Sequence, residues 1–152
     1  MIKKEFSEIY EKFKLNFYRN IYLETEDSEN NGFDLTITES FCLEVIKSLK
    51  NATVRDVAKF MRTSQPNAAY KVANLAKKGY VTKTQSEQDK RTFFLEVTDK
   101  YYDYSKVKNR YIDVVVDRVE SSCTPEEIET FRKILNLMNE ELMPEIKQHM
   151  KK

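Results

Sequence analysis

Three observations predict a mainly α fold carrying one small β-hairpin. Glycine and proline number only 2 and 3 in 152 residues, so few positions interrupt a helix. Apolar residues recur at spacings of three and four through most of the chain. The exception is "YVTKTQSEQDKRTFFLEVT", Tyr80 to Thr98, where strand-forming residues flank a charged knot. There Phe93, Leu95 and Val97 fall on one face and Glu96 on the other, the period of a half-buried strand. Glu87, Asp89, Lys90 and Arg91 then sit at a hairpin tip.

Length and composition bound the rest. A chain of 152 residues, 40% apolar and 34% charged, is about one domain, here residues 1–152. No apolar run is long enough to span a membrane, and the two lysines near the start precede no apolar signal segment, which predicts a cytoplasmic protein without a membrane partner. Catalysis and cofactors are not expected. The single histidine, His149, lies near the C-terminus, the two glycines form no phosphate loop, and Cys42 and Cys123 match no metal-ligand spacing. Both cysteines read as buried free thiols, with oxidation sensing as the sharper alternative. Net charge is only +1, but residues 53–100 hold ten Lys/Arg against five Asp/Glu, so positive charge gathers in the middle third.

The elements follow in order. Phe6, Ile9, Tyr10, Phe13, Phe17 and Ile21 make an aromatic stripe on a helix over residues 5–23. Residues 24–32 are acidic and aperiodic, a solvated loop. Thr36 with Glu39 forms a capping box for a helix carrying Phe41, Val45, Ile46 and Leu49. Thr53 can cap the short "VRDVAKFM", with Val54, Val57, Ala58 and Met61 inward. Ser64 or Gln65 can cap a further helix with Pro66 in its first turn, and Gly79 can close it in a left-handed conformation. Two short helices followed by a hairpin make a helix-turn-helix with a wing. Thr98 and Asp99 can open a long helix bearing Tyr104, Val107, Tyr111, Val114, Val115 and Val119. Thr124, Pro125 and Glu127 open a last helix whose stripe, Ile128 to Ile146, is too long and apolar for one small subunit to cover. That stripe and the aromatic first helix predict a homodimer, with packing within one subunit as the alternative.

At 100° per residue, Ala68, Val72, Leu75 and Ala76 share one face of the helix before Gly79, and Asn67, Tyr70, Ala73, Asn74 and Lys77 the other. Amides can bond adenine at two points and lysines neutralise phosphates, so the outer face suits the major groove of double-stranded DNA. Candidate contacts are Ser64, Gln65, Asn67, Tyr70, Lys71 and Asn74, joined by Lys83, Lys90 and Arg91 of the wing. Arg91 can enter a minor groove or grip phosphate. Asp89, two residues earlier, would orient it, either by forking its guanidinium or by bracing the turn.

With "LTITESFCLEVI", "TVRDVAKFM", "SQPNAAYKVANLAKKGYV", "DKR" and "LEVT" on the page, the chain resembles the MarR family of winged helix-turn-helix transcriptional regulators. The resemblance implies a DNA-binding lobe at 35–98 flanked by N- and C-terminal dimerisation helices at 1–23 and 100–150. It also implies a palindromic operator, commonly repressed, and release by a small-molecule effector or by cysteine oxidation. For the effector pocket the chain offers Tyr10, Phe13, Phe17, Tyr104 and Tyr111, which could equally fill the core. One departure is Tyr101, three residues after Thr98, where the family commonly has glycine. A winged-helix module that binds protein instead of DNA is the alternative.

Overall fold

The computed structural model describes residues 1–22 and 33–150, so the acidic stretch at 24–32 lies outside the described residues. Along the chain run α1 (Lys3–Tyr22), α2 (Ile37–Ser48), α3 (Val54–Met61), α4 (Gln65–Lys77), β1 (Val81–Gln85), β2 (Phe93–Val97), α5 (Asp99–Ser122), α6 (Pro125–Leu137) and α7 (Glu145–Met150), with a π turn at Met138–Leu142. They form two compact units, Leu35–Tyr102 with Met138–Lys152, and Met1–Asp34 with Asp103–Leu137.

Local signals set the helix ends of the first unit. Thr36 Oγ1 accepts from Glu39 N at 3.2 Å while Thr36 N donates to Glu39 Oε2 at 3.0 Å, which satisfies two amides that α2 leaves open. Thr53 and Asp56 repeat that exchange at α3. Ser64 Oγ caps α4 by accepting from Asn67 N, with Pro66 in the first turn. At the other end Tyr80 N donates to Leu75 O at 2.9 Å and Gly79 N to Ala76 O at 3.0 Å. That pair of bonds needs a left-handed residue between, and Gly79 supplies it at φ +86°.

The core of this unit is built from one face of each helix. Leu43 of α2, Val57 of α3, Val72 and Leu75 of α4 and Leu95 of β2 are all buried. Each such side chain contributes about 1.5–3 kcal/mol by leaving water. The strands pair antiparallel from Val81↔Val97 to Gln85↔Phe93, and Leu95 N also donates to Ala52 O at 2.8 Å. This extra bridge fastens the wing to the segment between α2 and α3.

Tyr101 does not disturb the turn after the wing. Thr98 N returns to Tyr80 O, Tyr101 N bonds Thr98 O, and the Tyr101 ring is buried with its hydroxyl donating to Glu44 Oε2 at 3.1 Å. A side chain at this position ties the start of α5 to α2, which glycine could not do.

In the second unit Phe13 meets Tyr111 edge to face at 5.8 Å, and Phe33 meets the buried Tyr104 at 5.3 Å. Within the single chain, Phe6, Ile9 and Tyr10 of α1 and Phe131, Ile134 and Leu135 of α6 remain exposed.

Two expectations are corrected. The last helix is not continuous to Ile146: α6 stops at Leu137, the π turn follows, and α7 begins only at Glu145. Pro144 is the physical reason for the break before α7, because it lacks an N–H and its ring clashes with the carbonyl four residues back. Cys123 is not buried but exposed, at the bend between α5 and α6, whereas Cys42 is buried as expected. Desolvation pushes the Cys42 thiol up to about 11, only partly opposed by Lys71, so it holds little thiolate at neutral pH.

Candidate nucleic-acid interface

Burial of Ala68, Val72 and Leu75 sets the rotation of α4 about its axis. The opposite face is thereby turned outward: Gln65, Asn67, Tyr70, Ala73 and Lys77 are exposed, Tyr70 at 68%. Asn74 is half-buried at its edge. Such a face offers amide donors and acceptors, a phenol and small gaps between them, at the width of one helix.

Two sequence candidates already have structural roles. The Ser64 hydroxyl is engaged as the α4 cap. Lys71 is half-buried and donates to Thr38 Oγ1 at 3.3 Å, binding α4 to the start of α2. Lys78 joins the same two helices through Glu39, Nζ to Oε2 at 2.8 Å, an ion pair the sequence did not disclose.

The wing tip is a knotted turn. Ser86 N bonds Thr92 O at 2.8 Å, Thr92 N bonds Asp89 O at 2.9 Å, and Gln85 Nε2 donates to Lys90 O at 2.7 Å. Asp89 sits at its centre. Its Oδ1 accepts from Arg91 N at 2.9 Å and its Oδ2 from Thr92 Oγ1 at 3.0 Å. Of the two ways in which Asp89 could orient Arg91, the fork to the guanidinium is therefore not formed, because both carboxylate oxygens are directed at the turn itself. Asp89 holds the backbone from which Arg91 springs, and the guanidinium has no partner among the described residues.

Between the starts of α3 and α4 and the wing lies a cleft of about 290 Å³ whose lining includes Arg55, Gln65, Lys83, Arg91 and Phe93. Arg55 was not among the sequence candidates. Its position, second in α3 beside the Thr53 cap, marks it as solvent-facing, but only folding brings it to the wing. Lys83 and Lys90 are exposed.

The aromatics considered for an effector lie in the other unit. Phe13 and Tyr111 contact each other, Phe17 packs on Tyr18 at 5.4 Å, and Tyr104 on Phe33. Tyr10 is exposed under the Lys14 ammonium at 5.4 Å. Among the described residues no group of three or more His, Cys, Asp or Glu could hold a metal, and no helix is long and apolar enough to cross a membrane.

Three helices, a left-handed glycine stop and a hairpin braced at its tip define a winged helix-turn-helix. The MarR family model matches residues 35–93. The HTH-type transcriptional regulator Hpr of Bacillus mycoides is 34% identical over 68 residues, 45% of this chain and 37% of the relative, and Hpr of Bacillus cereus matches equally. The match thus spans well under half the length of these curated relatives. Among solved structures, a mutant of S. aureus MepR bound to an oligodeoxyribonucleotide has a TM-score of 0.56 at 18% identity, covering 94% of this chain and 99% of that one. Streptococcus pneumoniae FabT in complex with DNA has a TM-score of 0.51 at 24% identity, covering 90% and 96%. The lobe at 35–93 is thus similar to the MarR family, and the solved structures share its winged-helix fold.

Proposed function

We propose that the protein is a dimeric, sequence-specific DNA-binding transcriptional regulator, a repressor acting from a palindromic operator. One observation carries this: the outer face of α4 is exposed and polar, beside a wing whose cations have no acidic partner among the described residues. In this reading α4 enters the major groove, with Gln65, Asn67, Tyr70 and Asn74 reading bases. The wing follows the neighbouring backbone and minor groove through Lys83, Lys90 and Arg91.

Dimerisation is supported by the exposed apolar residues of α1 and α6, which a second copy would cover. Two recognition helices on one side of a duplex require half-site centres about one helical turn, ~10 base pairs, apart. A DNA partner of this kind places the protein in the cytoplasm. A small-molecule effector would release DNA only by binding one conformation more tightly than the other.

The experiment is selection of duplexes from a random-sequence pool, followed by affinity measurement at two salt concentrations. A recovered pseudo-palindrome with steeply salt-dependent binding is expected. Failure to bind any duplex would sink the proposal.

A further inference from the structure

We infer that Arg55, Lys83 and Arg91 together hold a single phosphate of the DNA backbone, in the cleft between α3, α4 and the wing. The inference rests on the DNA-binding reading and deepens it, because it names the group that the cleft takes and adds Arg55 to the interface.

The three cations come from separate elements, α3, β1 and the wing tip, and line one cleft of about 290 Å³. None of their side chains has a hydrogen-bond or ion-pair partner among the described residues. The acid closest in sequence, Asp56, makes no ion pair with them. Its Oδ2 is turned to Thr53, accepting from both N and Oγ1 at 2.9 Å. Cations gathered with no ion-pair partner among the described residues repel one another, and an anion between them turns that repulsion into attraction.

The rest of the lining tells which anion fits. Gln65 adds an uncharged amide donor, while Val54 and the exposed ring of Phe93 form an apolar wall. A bare inorganic ion leaves that wall unused. A phosphodiester brings a deoxyribose to lie against Phe93 while its two free oxygens meet the guanidinium groups in charge-assisted bonds. The Asp89 carboxylate, by fixing Arg91 N and Thr92 Oγ1, keeps the third cation on this cleft.

One shared phosphate makes the three side chains energetically coupled, where three separate phosphates would make them additive. The test uses the full-length protein and a duplex selected by the wild type, with single phosphates replaced in turn by neutral methylphosphonate. Arg55→Ala is expected to weaken binding about tenfold without changing base preference, and Arg55→Lys to recover part of the loss. One methylphosphonate position per half-site should weaken the wild type, and that same position should weaken Arg55→Ala, Lys83→Ala and Arg91→Ala less. Circular dichroism and thermal melting should be unchanged, since all three residues are exposed. Wild-type affinity for Arg55→Ala, or loss of sensitivity at three different phosphates, overturns the shared site and leaves DNA binding standing. Absence of duplex binding by the wild type overturns both.

Discussion

Lys78 Nζ stands 2.8 Å from Glu39 Oε2, joining the cap at the end of α4 to the first turn of α2, with the Glu39 side chain 7% exposed. Burial alone would raise the Glu39 pKa, but the bonds from Lys78 and from Thr36 outweigh it together and hold the carboxyl below its ordinary value.

A depressed carboxylate pKa contributes stability above its unfolded value, about 4.3, and loses it as pH falls through the folded value. Glu39→Gln should therefore cost about 1–3 kcal/mol at pH 7. Urea denaturation at pH 7 and pH 3 checks this, because protonated Glu39 resembles glutamine and the two proteins should converge in acid. A gap independent of pH would show that the charge is not the cause.

Asp89→Ala removes the acceptor for Arg91 N and Thr92 Oγ1 at an exposed tip. Global stability should change by less than about 0.5 kcal/mol, while duplex affinity falls several-fold. Asp89→Asn, which keeps one acceptor oxygen, should retain more. Equal affinity for wild type and Asp89→Ala would mean that the bracing has no part in binding.

The cysteines should differ in reactivity. Cys123 is exposed and Cys42 is buried with its pKa pushed up to about 11. A thiol reagent at neutral pH should modify one cysteine promptly and the second only after denaturant is added. Peptide mapping identifies the first as Cys123, and prompt labelling of Cys42 would contradict its packing.

Phe131 and Leu135 lie one turn apart on α6 and are 48% and 46% exposed in the single chain. The double change Phe131→Asp with Leu135→Asp should leave helical content intact and convert a dimer to monomer by sedimentation at micromolar concentration. A wild-type protein that sediments as a monomer would remove the basis for a two-fold operator.

What was legible in the sequence is local. Thr36 with Glu39, Ser64 with Pro66, and Gly79 each act on backbone groups within a few residues, so their chemistry can be read without knowing what lies opposite. Asp89 is legible only in part: its spacing from Arg91 allows a fork to the guanidinium or a braced turn, and the structure selects the brace. The burial of Ala68, Val72 and Leu75 follows from periodicity, and with it the exposure of the face that would read bases. Pro144 is equally visible as a break in the last helix, although the apolar periodicity runs past it to Ile146.

Only the tertiary structure decided which side chains meet across elements. Glu39 finds Lys78 and Tyr101 finds Glu44, 39 and 57 positions apart. Lys71 turns inward to Thr38, and Arg55 shares a cleft with Lys83 and Arg91. A sequence states each charge but not its partner, because the distance between distant positions is set by how helix faces pack and where the wing is fastened. Ala52 supplies that fastening through its bridge to Leu95. No property of alanine as a residue type announces it, since the bond is made by backbone atoms that every residue carries.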